Sequence, residues 1–92
     1  MSIDDKKTID IIVNMKQKAI DTATLTRDGE ITFDQVVEIA RADGGLPSGE
    51  YIEYEIYYDN AIARPQNGRL FEGKSVKIQD GTSFNVTYTD KS

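Results

Sequence analysis

One short stretch constrains the fold more than any other: Thr32-Phe33-Asp34-Gln35, followed by Val36-Val37-Glu38-Ile39-Ala40-Arg41. Thr32 and Gln35 have the spacing of a capping box, in which the threonine hydroxyl accepts from the Gln35 amide and the glutamine side chain reaches back. Ile31 before the cap and Val36 at the fourth helical position fit a hydrophobic staple. Phe33, Val36, Val37 and Ala40 follow the i, i+3, i+4, i+7 rule and form one apolar stripe. Asp34 lies near the positive end of the helix dipole and Arg41 near the negative end, both with the favourable sign. Gly44-Gly45 then stops the helix, and Leu46-Pro47-Ser48-Gly49 reads as a loop. A lone helix of this length cannot bury its own stripe. It must lie across one face of a sheet.

The remaining segments supply that sheet. Thr8 to Asn14 alternates, with Ile9, Ile11 and Val13 on one side and Thr8, Asp10 and Asn14 on the other; Ile12 is the exception on the polar side. Met15-Lys16-Gln17-Lys18 reads as a turn, without the glycine that two-residue hairpins prefer, and Ala19 to Leu25 as a second, poorer strand. Tyr51 to Asp59 is the best strand, alternating Ile52, Tyr54, Ile56 and Tyr58 against Tyr51, Glu53, Glu55 and Tyr57. Asn60 to Gly68 is an irregular connection and Arg69-Leu70-Phe71 a brief strand. Ser75 to Ile78, a turn at Gln79-Asp80-Gly81, and Ser83 to Thr89 read as a closing hairpin, with Val76, Ile78, Phe84, Val86 and Tyr88 inward.

This order of elements suits an α+β fold of the β-grasp kind, the ubiquitin architecture. Such a fold has a mixed sheet of four to five strands, one helix across one face, and the first and last strands parallel at the centre. A two-layer α+β sandwich of another topology is the alternative. Residues 1–92 are expected to form a single domain, with residues 1–7 a frayed start and residues 88–92 a mobile C-terminal tail.

Composition narrows the chemistry. The 92 residues include no cysteine and no histidine, so a thiol nucleophile, a thiolate metal site and the commonest general base are all missing. No apolar run exceeds the length of Ile11-Ile12-Val13, far too short to cross a bilayer. The polar start Met1 to Lys7 lacks the apolar core of a signal peptide, so a cytoplasmic location is expected. A net charge of −5 and a pI near 4.6 argue against nucleic acid, which needs a basic surface. Residues 28–63 carry nine acids against the single base Arg41. That segment is either a solvated face that aids solubility or a surface that steers a basic partner.

The motifs that carry chemistry elsewhere read more simply here. Thr24 to Gln35 resembles an EF-hand loop, with Asp28 fifth and Gly29 sixth, but its first and third positions are threonines and its twelfth is Gln35. Gln35 cannot supply the bidentate carboxylate, so Asp28-Gly29 reads as a turn. Asn85-Val86-Thr87 matches a glycosylation sequon inside a strand pattern. Tyr51, Tyr54, Tyr57 and Tyr58 could stack on single-stranded nucleic acid, but Glu38, Glu50, Glu53, Glu55 and Asp59 surround them and β-propensity explains them. Glu53 and Glu55 share a strand face without the apolar pocket that would tune a catalytic pair. No catalytic constellation emerges, and neither enzyme activity, a cofactor nor a metal is expected.

Several segments together carry a family resemblance. They are Ile11-Ile12-Val13-Asn14, the run from Ile31 to Ala40, Tyr54-Glu55-Ile56-Tyr57-Tyr58, Gly68 to Ile78, Asp80 to Thr87, and the closing Thr89-Asp90-Lys91-Ser92. Over nearly the whole chain they resemble the bacterial multiubiquitin-type family of ubiquitin-like β-grasp proteins. The resemblance implies a protein modifier, served by ubiquitin-activating-like and ubiquitin-conjugating-like enzymes and a JAB-type protease, in some cases in antiviral defence. Thr89, Asp90, Lys91 and Ser92 would then form the conjugation tail of a monomer. They replace the Gly-Gly end of ubiquitin, where residues without Cβ pass a narrow enzyme channel, and sulfur-carrier activity is disfavoured accordingly. The alternative is a non-covalent adaptor that docks through its acidic surface.

Overall fold

The computed structural model describes residues 7–91 of the chain. In order these form β1 (Thr8–Val13), β2 (Lys16–Asp21), a single 3-10 turn (Thr22–Thr24), β3 (Glu30–Thr32), α1 (Phe33–Ala42), β4 (Ile52–Asp59), β5 (Gly68–Leu70), β6 (Ser75–Lys77) and β7 (Ser83–Asp90). The capping box at the start of α1 is formed in full. Thr32 Oγ1 accepts from the Gln35 N–H at 3.1 Å, and Gln35 Oε1 accepts from the Thr32 N–H at 2.9 Å. The Gln35 amide also donates to the Thr24 carbonyl at 2.6 Å, tying the cap to the preceding turn. The stripe of Phe33, Val36, Val37 and Ala40 is buried as its spacing requires.

The five-stranded sheet has the order β2-β1-β7-β4-β5, and β3 and β6 form a separate two-stranded ladder. β1 and β7 are parallel, and the other pairings are antiparallel. First and last strands thus lie side by side within the sheet under one helix, a coarse β-grasp-like arrangement. The core is formed by Ile11 and Val13 of β1, Ile56 of β4, Phe84 and Val86 of β7, the helix stripe, and Ile31, Leu70, Val76 and Ile78. Thr82 is fully buried but satisfied: its hydroxyl donates to the Asn60 carbonyl at 2.9 Å and accepts from the Gln79 N–H at 3.0 Å.

The structure corrects three expectations, for the first turn with β2, for the closing hairpin and for Tyr88. The first turn is Asn14-Met15, both in the left-handed region (φ 49° and 70°), so β2 starts at Lys16 and ends at Asp21 instead of spanning Ala19 to Leu25. The threonine-rich stretch is a 3-10 turn capped by the Asp21 side chain, which accepts from the Ala23 N–H at 2.9 Å. The expected hairpin of Ser75–Ile78 with Ser83–Thr89 does not form, because β1 and β4 occupy both edges of β7 and β6 pairs with β3 instead. Tyr88, expected inward, is 48% exposed because the sheet extends past the helix that would cover it. The residues from Tyr88, expected to be a mobile tail, pair with β4 as far as Asp90, since β4 reaches back to Ile52. The expected frayed start lies outside the described residues except for Lys7, whose carbonyl accepts from the Thr22 N–H at 2.9 Å.

Candidate functional site

Three surface features bear on function. The first is the C-terminal strand end. Thr89 lies opposite Glu53 and Asp90 opposite Ile52, and the Lys91 N–H donates to the Tyr51 carbonyl at 2.8 Å. The Lys91 ammonium lies 2.8 Å from the Glu53 carboxylate. All three residues keep their side chains exposed, and Ser92 lies outside the described residues. Thr89, Asp90 and Lys91 are therefore together, but as a sheet margin.

The second feature is on the sheet face away from the helix. Ile12, the exception in its strand pattern, points there, and so does Tyr57 (37% and 47% exposed). Met15 in the turn is 94% exposed. These three line one shallow pocket of about 310 Å³ together with Asn14, Asp59, Ser83 and Asn85. Asn14 locks the turn in place: its Oδ1 accepts from the Val86 N–H at 2.7 Å, and its Nδ2 donates to the Val86 carbonyl at 3.3 Å. The Asn14 side chain thereby continues the β1–β7 pairing past the end of β1. Nothing in the local pattern announces this contact, since Asn14 and Val86 are 72 positions apart.

The third feature is the groove between β2 and α1, about 370 Å³, floored by Ile20, Ile31 and Ile39 and flanked by Asp21, Asp34 and Glu38. Lys18, adjacent in sequence to Ala19 of the lining, is ion-paired with Asp43. Elsewhere the acids divide among partners. Glu55 lies 3.3 Å from Arg69, whose guanidinium sits 4.9 Å above the Phe71 ring. Glu30 accepts from the Ser75 hydroxyl. Asp28-Gly29 forms a turn with Gly29 at φ 77°, and Gln35, the twelfth residue of the EF-hand-like stretch, is engaged in the helix cap.

No protein-family model matches the chain, and neither the characterised proteins nor the solved structures compared with it are significantly similar to it. The class that strand order and helix placement define is a small β-grasp-like α+β domain compatible with protein binding. No described helix is long and apolar enough to cross a membrane.

Proposed function

We propose that this chain acts by being bound: a ubiquitin-like β-grasp protein of the multiubiquitin type, recognised by partner enzymes and attached by them to targets. The observation that carries the reading is Met15. A side chain in the left-handed region costs about 1–2 kcal/mol relative to glycine, and this methionine offsets none of it by burial, being 94% exposed. Glycine or asparagine would serve the turn better. A residue that costs stability where the fold gains nothing belongs to an intermolecular contact, and Ile12 and Tyr57 extend it into an apolar patch with a polar rim. Activating-like and conjugating-like enzymes, with a JAB-type protease for reversal, are the partners the family resemblance supplies. Thr89, Asp90, Lys91 and Ser92 form the handle.

A second reading is favoured by the strand pairing of Thr89 and Asp90 with β4, which holds the handle in the sheet. On that reading the protein docks without covalent attachment. Intact-mass measurement in the native host separates the two, since a modifier appears in higher-mass adducts and a docking module at its own mass. Incubation with the activating-like enzyme and ATP tests the handle directly. The full chain is expected to form adducts and a chain ending at Thr87, checked for folding by its amide spectrum, to form none. Equal adducts from both would refute the role of Thr89 to Ser92. A photoreactive side chain at position 15 is expected to cross-link the same enzymes, and Tyr57→Ala to abolish the cross-link. Cross-links unaffected by that change would refute the patch.

A further inference from the structure

β2 is the outermost strand of its edge, and the register shows which of its backbone groups are free. A two-residue turn makes Val13 and Lys16 a hydrogen-bonded pair, so the bonded pairs alternate and Gln17 and Ala19 fall between them. The other side of β1 agrees: the Ile12 N–H, opposite Gln17, turns to the Thr82 carbonyl at 2.9 Å, and the Asp10 carbonyl, opposite Ala19, accepts from the Gly81 N–H at 2.8 Å. Gln17 and Ala19 therefore point their N–H and C=O groups outward, four groups ready to pair with another strand. Natural edges are commonly blunted by proline, a bulge, lysines, inward-pointing charges or a covering loop. β2 has neither proline nor bulge along its ladder; of its lysines, Lys16 sits at the turn and the core-facing Lys18 has its charge paired with Asp43.

Beside this edge runs the groove toward α1. On β2 the core-facing side chains are Lys18 and Ile20, so a strand added next to Gln17–Ala19 would direct alternate side chains into the groove, over Ile20 and Ile39. The groove's charged lining is anionic only: Asp21 on the strand side, Asp34 and Glu38 on the helix. The neighbouring Lys18 is already paired with Asp43. We propose that the β2 edge and this groove bind a short extended segment of a partner protein whose groove-facing positions combine apolar side chains with Lys or Arg. A second copy of this chain is a poorer occupant, because it would bring its own acids and a net charge of −5 against the same acidic walls. The inference rests on the reading of this protein as one that others bind, but it concerns a different surface from the Met15 patch and the C-terminal handle.

The probe is an acetylated, amidated octapeptide with threonine at every second position and valine and lysine in turn at the positions between, so that one face carries both, with a control in which glutamate replaces lysine. Titrated into the isotope-labelled full chain, the lysine peptide is expected to shift the amides of Gln17, Ala19, Asp21 and Ile39 saturably. Raising salt from low to high ionic strength weakens it severalfold, as attraction across an exposed acidic wall requires. Ala19→Pro removes one outward N–H and lowers affinity about tenfold or more. Glu38→Lys, which leaves the strand untouched, lowers it about threefold to tenfold and keeps the inference testable where the proline variant does not fold. Equal binding of the glutamate peptide, shifts centred on Met15 and Tyr57, or no saturable shift at all would each overturn the proposal. So would a concentration-dependent doubling of mass mediated by β2, which would make a second copy the occupant. None of these outcomes touches the adduct or cross-linking results, so the edge can fail while the wider reading stands.

Discussion

Replacing Asn14 tests how the sheet is closed at the turn. Its side chain makes two hydrogen bonds to the backbone of Val86, a residue 4% exposed, and its own N–H donates to the Phe84 carbonyl at 2.9 Å. Removing the side chain orphans the Val86 N–H and C=O. Each partly buried orphan costs about 1–1.5 kcal/mol at the lower end of the range, so Asn14→Gly is expected to lose about 2–3 kcal/mol. Asn14→Ala adds the penalty of a left-handed backbone, about 1 kcal/mol, for a total near 3–4 kcal/mol. Asn14→Asp retains the acceptor for the Val86 N–H and loses only the weaker donor, for about 1–2 kcal/mol. In a domain of this size 1 kcal/mol moves the melting temperature by about 4–8 °C, so the series separates cleanly in the order Ala, Gly, Asp. Chemical denaturation supplies the free energies, and the exchange rate of the Val86 amide reports the bond itself. A glycine variant that melts within a degree or two of the parent, with Val86 still protected, would refute the account.

Three other outcomes follow from packing and strain. Phe33→Ala empties the helix stripe at its sheet contact and is expected to cost about 3–5 kcal/mol, measured by urea denaturation; melting unchanged within two degrees would mean α1 does not pack as described. Thr82→Val preserves shape but strands the Gln79 N–H, while the Asn60 carbonyl keeps the Gln79 side-chain amide at 3.1 Å, for about 1–3 kcal/mol by the same assay, whereas Thr82→Ser keeps both bonds and loses about 1 kcal/mol. Met15→Gly relieves the left-handed strain and is expected to raise stability by roughly 0.5–1 kcal/mol after the added chain entropy. A destabilised Met15→Gly would show that this methionine serves the fold and not a partner.

What the sequence reveals depends on whether the deciding contact is local. The helix is legible because Thr32 and Gln35 satisfy each other within one turn, so its start is written in four consecutive residues. β4 is legible because one of its faces meets the core and its alternation has a single solution, with Ile56 buried and Tyr57 exposed. β2 is not, because its turn is fixed by Asn14 reaching Val86 from the other end of the chain, and threonine content is a weak substitute for that knowledge. The partner of β6 is hidden for another reason. Adjacent strands usually pair, but pairing is competitive, and β7 had no edge left to offer. The acidic segment was visible as composition, but only the fold assigns its members. Glu55 and Glu30 go to intramolecular partners, while Asp34 and Glu38 line the groove.

The C-terminal end shows why side-chain pattern alone cannot fix a strand boundary. Tyr88, Thr89, Asp90 and Lys91 bury nothing, so burial does not demand that they be ordered. They are held by backbone pairing to β4: the Lys91 bond to the Tyr51 carbonyl and the reciprocal pair that the register implies between Thr89 and Glu53. Three such bonds contribute about 2–5 kcal/mol in total, and the exposed Lys91–Glu53 ion pair at most about 1 kcal/mol more. Against them stands the backbone entropy of four residues, about 4–8 kcal/mol, recovered on release. Neither side dominates, so strand and free tail are close in free energy, and an enzyme that gripped the released end could draw it from the sheet with modest binding energy. Hydrogen exchange checks the balance. The amides of Thr89 and Lys91 are expected to exchange orders of magnitude faster than those of Asn85 and Thr87 on the same strand, and the core strands to stay intact when they do. Uniform protection along β7 would mean the margin is as firmly held as the centre, and the handle proposed for conjugation would then have to be won by unfolding the domain.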